Sequence, residues 1–323
     1  MESALAKVTV QASQKRQSLF DALFKGATGF FAYAVLFLLA LILISLFWEG
    51  RAAFLTFGGR FLWTQVWDPV AEQYGAFAAI SGTVITSMIA MVLAIPVSFG
   101  IALFITELAP SWLKTPLSTA VELLAGIPSV IFGMWGLFIF APAFAKIEPK
   151  ISAAVEGIPV LQSLFSGPPM GIGMLTAGII LAIMTVPFIS AVMREVFVAV
   201  PKLLKESAHA LGATTWEVVR SVVLPYAKTG VIGGIFLGLG RALGETMAVT
   251  FVIGNAHELN ASLFAPGTSI SAVLANEFSE ATTPLYKSSL LALGFVLFLI
   301  TFIVLIIARF MLGKLTSRQA HTI

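Results

Sequence analysis

At 323 residues, with 58% hydrophobic and only 11% charged side chains, the chain lies far from the composition of a water-soluble globular domain, in which about a quarter of residues are charged. Its mean hydropathy of +0.97 describes a polytopic membrane protein. The absence of Cys excludes disulfides, thiol catalysis and thiolate metal sites, and a net charge of +3 gives no reason to seek a nucleic-acid partner.

Residues 1–28 are polar and carry Lys7, Lys15, Arg16 and Lys25. They lack an apolar core followed by a small-residue cleavage site, so the first span is expected to act as its own uncleaved insertion signal. A membrane-spanning helix needs about 20 mainly apolar residues. Six stretches meet this, near 29–48, 77–106, 119–145, 172–193, 228–254 and 288–311. All are expected to be helices, because in lipid each backbone N–H and C=O must find its partner within the segment, and no period-2 alternation points to a barrel. The expected organisation is an N-terminal segment (1–28), an all-α membrane domain of six helices (29–311) and a tail (312–323).

An even number of crossings places both termini on one side. Thirteen of the 19 Lys and Arg residues fall in segments sharing that side, five fall in the opposite loops, and Arg241 lies within a span. The positive-inside rule then makes both termini cytoplasmic, together with the segment 202–225.

Proline and glycine punctuate the apolar runs. Pro96, Pro128 and Pro187 remove backbone donors and predict kinks or breaks. The run Gly126-Ile127-Pro128-Ser129-Val130-Ile131-Phe132-Gly133 could unwind locally and line a pathway with backbone groups, or simply pack. The Pro-rich stretch 142–171 is expected to lie along the outer surface. In the fifth span Gly230, Gly234 and Gly238 recur every four residues, with Gly240 and Gly244 on another face, a pattern that admits close helix approach.

Near the middle of that span are Arg241 and Glu245, four residues apart and so expected on one helical face. Ionisable residues within a membrane usually face a wet cavity or a bundle interior. Two readings stand side by side: a salt bridge that fixes packing, or a substrate pathway in which the Arg fork engages a tetrahedral oxyanion while Glu245 competes for the guanidinium. His209, His257 and His321 are too scattered for a metal site.

The segment 202–225 carries Glu206-Ser207-Ala208, then Gly212, then Leu224-Pro225 after a spacing that resembles the EAA signature of the permease subunits of bacterial ABC importers. Ser207 and Val222 are small departures. The resemblance implies a type I ABC importer permease fold whose cytoplasmic coupling helix docks on an ATPase. Its small residues Ser207, Ala208 and Gly212 would allow that close approach. The run Gly240-Arg241-Ala242-Leu243-Gly244-Glu245-Thr246-Met247-Ala248-Val249, together with Gly126–Gly133, is similar to the PstC family of phosphate-importer permeases, along nearly the whole chain. That resemblance implies import of inorganic phosphate across the bacterial inner membrane by alternating access. The implied partners are a homologous PstA-like permease, two PstB-like ATPase subunits that use ATP and Mg, and a periplasmic PstS-like phosphate-binding protein. It also implies that Arg241 and Glu245 take part in phosphate passage.

The chain has no Gly-x-x-x-x-Gly-Lys-Ser/Thr loop of its own; Gly313-Lys314 is followed by Leu315. It is therefore expected to be a transport subunit without catalytic residues, metal or cofactor. The alternatives are a permease for sulfate or molybdate, an ATPase-independent transporter or channel in which Glu245 relays protons, and a coexisting role in phosphate signalling.

Overall fold

The computed structural model describes the backbone of residues 2–320 and the side chains of 20–314; His321 and the end of the predicted tail lie outside the described residues. The chain divides into two compact units, Met1–Glu49 and Gly50–Ile323. Helix α1 (Glu2–Phe57) supplies the described part of the first unit. Among the described residues the helical segment Phe20–Leu62 contains a window apolar enough to cross a membrane, in keeping with the expected first span near 29–48.

In the second unit a short hairpin of β1 (Trp67–Asp68) and β2 (Gln73–Tyr74) precedes α2 (Phe77–Leu103), which ends in a π turn at Phe104–Leu108. The helices α3 (Ser111–Ala125) and α4 (Ser129–Trp135) follow, and α4 leads through a second π turn into α5 (Ala141–Ala145). Two short helices, α6 (Glu148–Ala154) and α7 (Pro159–Leu164), occupy the Pro-rich stretch before α8 (Met174–Val198). Beyond it come α9 (Lys202–Ala210), α10 (Thr215–Val218), a π turn at Val219–Val223 and α11 (Leu224–Leu243). The last elements are α12 (Met247–Val252), α13 (Ile270–Glu277) and α14 (Pro284–Ala320).

Among the described residues five helices are long and apolar enough to cross a membrane, and six when the α3 to α5 pair counts as one span. That third crossing differs from expectation. It starts at Ser111 rather than 119, and it bends by 86° at its break. Gly126 ends α3, and Pro128, fixed in an extended conformation, cannot continue the hydrogen-bonded ladder and becomes the N-cap of α4. The fifth span is shifted from 228–254: it runs Thr215–Leu243, because α11 stops at Leu243. By contrast, Pro96 and Pro187 sit inside α2 and α8 without breaking either helix. Next to Pro187 the Ser98 hydroxyl of α2 donates to the Val186 carbonyl of α8 at 3.1 Å.

Helix α8 is the most deeply buried span and the hub of the main core; Ile180, Leu181, Ile189, Met193 and Phe197 are almost fully enclosed. Helix α2 packs along it on one side and α11 on another. The glycine ladder of α11 explains the second contact. A Cβ at Gly230 would stand 2.5 Å from the Val196 side chain, one at Gly234 3.0 Å from Val192, and one at Gly238 2.5 Å from Ile189. These three residues let α8 and α11 meet closely. Gly240 faces open space within the chain, and Gly244 lies past the last turn of α11, so neither adds to this contact. A second core at the hairpin end gathers Phe61, Tyr74, Ile270, Tyr286 and Leu290.

The turn before α8 depends on one buried carboxyl. Glu148, 2% exposed, accepts a hydrogen bond from the Gly171 N–H at 3.0 Å. Gly171 has φ +71°, and a Cβ there would come within 2.0 Å of the Ala141 carbonyl, so only glycine fits. Burial pushes the Glu148 carboxyl above its ordinary range, partly offset by the Gly171 N–H.

Two outcomes follow for the purified chain. Gly238→Val forces a branched side chain into Ile189 and is expected to destabilise by about 1–3 kcal/mol, whereas Gly240→Ala should change stability by less than about 1 kcal/mol. Paired thermal unfolding curves check this; equal losses would contradict it. Glu148 has its folded pKa raised, so its contribution to stability is greatest below its ordinary pKa and is lost as pH rises through the folded value. Glu148→Gln, which keeps an acceptor for Gly171, should therefore match or exceed the original melting temperature at neutral pH and remove that part of the pH dependence.

Candidate functional site

The predicted pair Arg241 and Glu245 sits at a break in the membrane helix, and the expectation that both share one helical face is corrected. Arg241 is in the last turn of α11, exposed, with its guanidinium carbon 5.5 Å from the centre of the Phe188 ring on α8. That distance suits a cation–π contact. Gly244 leaves the helical conformation, and Glu245 follows outside any helix.

Glu245 is held by other partners. Its Oε1 accepts from the Ala248 N–H at 3.2 Å, and its carbonyl accepts from the Ser271 hydroxyl of α13 at 2.7 Å. The physical reason is the break itself: starting α12 leaves N–H groups without an intrahelical acceptor, and the carboxylate one residue before the Thr246 N-cap takes one of them. The ion pairs among the described residues do not join Glu245 to Arg241. The guanidinium is thus left facing outward beside Phe188.

The other glycine–proline run converges on the same place. A Cβ at Gly133 of α4 would be 2.7 Å from Phe251 and 3.1 Å from the Met247 carbonyl, and one at Gly136 would be 3.0 Å from Val252. The bent arm beginning at Pro128 therefore packs against α12, immediately after Glu245. Sequence spacing placed these two runs more than a hundred residues apart and gave no signal that they meet.

At the opposite end from the hairpin, α9 carries Glu206, Ser207 and Ala208, and Gly212 with φ +87° closes it in a left-handed cap that lets the chain reverse into α10. Thr214 and Glu217 form a capping box that starts α10: the Thr214 N–H donates to Glu217 Oε2 at 2.8 Å and the Glu217 N–H donates back to Thr214 Oγ1. Hydrogen bonds to the carboxylate, first from the Thr214 N–H and then from the Thr214 hydroxyl, hold the Glu217 carboxyl below its ordinary range. Leu224 and Pro225 open α11, so the segment feeds directly into the helix that bears Arg241. Ala208, Ala213, Val222 and Leu224 pack inward on the main core, while Leu203, Leu211 and Trp216 are exposed, Leu211 at 90%.

An ion pair missed by the sequence reading ties this segment to the bundle. Lys205 Nζ lies 2.6 Å from Glu107 Oε1, at the π turn ending α2, and also donates to the Phe197 carbonyl of α8. Both side chains are largely buried. A displacement of α9 thus acts on the ends of α2 and α8 together.

The hairpin end holds a carboxylate that sequence inspection also overlooked, because its partners come from three separate segments. Glu277, at the end of α13, accepts from the Trp67 indole and the Tyr286 hydroxyl, both at 2.7 Å, and its Oε1 is 2.7 Å from His257 Nε2. Trp67 and His257 stack at 5.6 Å. Burial raises the Glu277 pKa, but the hydrogen bonds from His257, Tyr286 and Trp67 outweigh it and hold the carboxyl below its ordinary range. The same α13 that grips this cluster through Glu277 holds the Glu245 carbonyl through Ser271. The chain between α12 and α13 returns as a parallel bridge of Gly254 with Gly267.

A bundle of broken apolar helices, with one exposed cation at a break and an amphipathic segment joining two spans at one face, defines a membrane permease subunit. Residues 94–316 match the family of binding-protein-dependent transport system inner membrane components, and the chain belongs to that family. It is 55% identical to the phosphate transport system permease protein PstC of Pasteurella multocida over 98% of both chains. To the phosphate transport system permease protein PstC of Mesorhizobium japonicum it is 55% identical over 95% of this chain and 94% of that one. A bacterial ABC transporter involved in the import of the acidic polysaccharide alginate shares the fold at a TM-score of 0.58, covering 88% of this chain and 96% of its own, with 18% identity. The architecture is that of a type I ABC importer permease.

The Glu277 cluster yields a pH test. Its folded pKa is lowered, so its stabilising contribution is present above the ordinary carboxyl value of 4.5 and fades as pH falls through the folded value. Glu277→Gln should reduce stability at neutral pH by about 1–3 kcal/mol and flatten the acid limb of the melting-temperature profile. An unchanged acid limb would place the pH dependence elsewhere.

Proposed function

We propose that this chain is one half of the membrane pore of an ATP-driven importer that carries inorganic phosphate into the cytoplasm by alternating access. The observation that carries the substrate is the 55% identity, end to end, to proteins named phosphate transport system permeases. In this reading both termini are cytoplasmic, as the distribution of Lys and Arg favours. The predicted segments 1–28 and 312–323 then flank a permease domain over 29–311. A homologous PstA-like permease supplies the other half of the pore. Two PstB-like ATPase subunits, using ATP and Mg, dock on α9 and α10, where Leu203, Leu211 and Trp216 offer exposed apolar contacts and Glu206 a polar one. A PstS-like protein delivers phosphate at the hairpin end. Hydrolysis belongs to the assembled complex, and this chain contributes no nucleotide site.

Arg241 is the group proposed to meet the anion. A guanidinium gives several donors in a planar fork that suits a tetrahedral oxyanion. Phe188 occupies one face of it, and Glu245 is turned away to cap α12, so the positive charge is available to a passing ligand. Binding of this kind, by one fork without a closed cage, leaves the anion able to depart. The movement reaches this point along a continuous path: ATPase closure pushes α9, Lys205 carries the push to α2 and α8, and Leu224-Pro225 carries it along α11.

Labelled-phosphate uptake tests this in cells whose sole phosphate importer contains the chain at matched abundance, with sulfate and molybdate as competitors. Arg241→Gln should lower uptake by tenfold or more, corresponding to the loss of about 1.4 kcal/mol or more of ligand interaction, and Arg241→Lys should fall between. Complex assembly should persist in both. Full uptake by Arg241→Gln, or competition by sulfate or molybdate equal to that of phosphate, would overturn the reading.

A further inference from the structure

A cavity of about 420 Å³ opens where the ends of α2 and α8 meet the start of α3 and α9. Four cations line it: Lys114 from α3, Arg194 from α8, and Lys202 and Lys205 from α9. Lys205 is already paired with Glu107, and the Glu195 carboxylate also lines the cavity, so the donors left over belong to the other three cations. Lys114 Nζ donates to the Thr106 carbonyl at 2.6 Å, leaving other ammonium protons. Arg194 contacts Glu122 and Glu195 through one terminal nitrogen, at 2.6 Å each, while its Nε is buried without a partner. Lys202, exposed at the first turn of α9, has no side-chain partner among the described residues. That nitrogen is closed off from the cavity, so an anion there would meet the Lys202 ammonium and the remaining donors of Lys114 and Arg194. Ile105 and Val198 form an apolar wall beside these charges.

We propose that this cavity is a binding site for a phosphate group, separate from Arg241, whose occupancy braces α9 against α3 and α8. The ligand class follows from the donor types: a guanidinium and the ammonium groups of Lys114 and Lys202 border one cavity, and such groups hold phosphate oxygens. Two sources share that chemistry. The cavity lies at the ends of membrane spans, where the phosphate of an anionic lipid would sit with its acyl chain along the apolar wall, and basic clefts at this level are suited to such headgroups. Inorganic phosphate arriving in the cytoplasm is the other source. In either case the anion would bridge the two lysines of the α9 segment to the span ends and stiffen the element on which the ATPase is proposed to push. The site's side of the membrane and its effect on coupling rest on the proposed function; the site itself does not.

The test uses the purified complex containing the full chain, either unchanged or with Lys202→Glu or the Lys114→Gln/Lys202→Gln pair. Both lysines reach the cavity from outside the packed core. In the first arm, nanodiscs contain phosphatidylcholine with phosphatidylglycerol, and native mass spectrometry counts retained phosphatidylglycerol. In the second, proteoliposomes of phosphatidylcholine alone hold the complex with its ATPase side outward, inorganic phosphate is added outside together with ATP, and ATPase rate is measured against phosphate concentration. A lipid ligand predicts that retention falls about fivefold per removed charge, the fold-change equivalent to about 1 kcal/mol. A free anion predicts that the response to phosphate on the ATPase side disappears in the variants. If neither lipid retention nor phosphate response changes while the complexes stay intact, the proposal is overturned. Lipid retention is read without transport, so loss of phosphate uptake through Arg241 would leave this result interpretable.

Discussion

Everything in this fold depends on one constraint: within the hydrocarbon layer a backbone N–H or C=O without a partner is costly, so a helix can be interrupted only where protein groups take over its hydrogen bonds. The chain interrupts its spans at 126–128 and at 244–246. At the second break Glu245 caps Ala248 and Ser271 satisfies the Glu245 carbonyl. The two interruptions are packed together through Gly133, so each is shielded by the other. Their proximity allows a charged side chain, Arg241, to stand at membrane depth beside irregular backbone instead of inside a uniform apolar helix.

That arrangement changes the role of the carboxylate. A Glu four residues from an Arg in a continuous helix would neutralise it, and the site would be a packing device. Ending α11 at Leu243 moves Glu245 away and gives it a structural task, so the positive charge of Arg241 is not matched by the nearest acid in sequence. The same economy recurs at each face of the bundle. Lys205 and Glu107 fasten α9 to α2, and Glu277 fastens α13 to the hairpin and α14. In the proposed function one set of charges transmits force, and Arg241 meets the anion.

Much of this was legible in the sequence. Apolar runs located the spans, because burial in lipid requires length and composition more than detailed packing. The four-residue glycine ladder at 230, 234 and 238 announced a close helix neighbour, and α8 is that neighbour. What the sequence could not supply were contacts between distant segments. The bend at Pro128 was visible, but its meeting with α12 required the fold. Gly244 read as one more packing glycine, although it ends a helix, since glycine serves both purposes and local spacing does not distinguish them. Pro96 and Pro187 read as kinks or breaks, and neither breaks its helix, because neighbouring spans can hold a helix together around the missing donor. The Glu277 cluster draws on residues 67, 257, 277 and 286 and had no local signature at all.

The central claim is that the break between α11 and α12 borders a water-accessible pathway whose exposure changes during the cycle. The chain contains no Cys, which permits a direct measurement. Gly244→Cys, at an exposed position where a Cβ makes only an ordinary 3.7 Å contact, can be placed in the assembled complex with its partners freed of Cys and probed with a membrane-impermeant thiol reagent from each side. The account predicts labelling that switches in side or rate when the complex is trapped with nucleotide, and slows when phosphate is present. A thiol that never reacts from either face, or reacts equally in every state, would mean that the break is packed away and that Arg241 does not stand on the path.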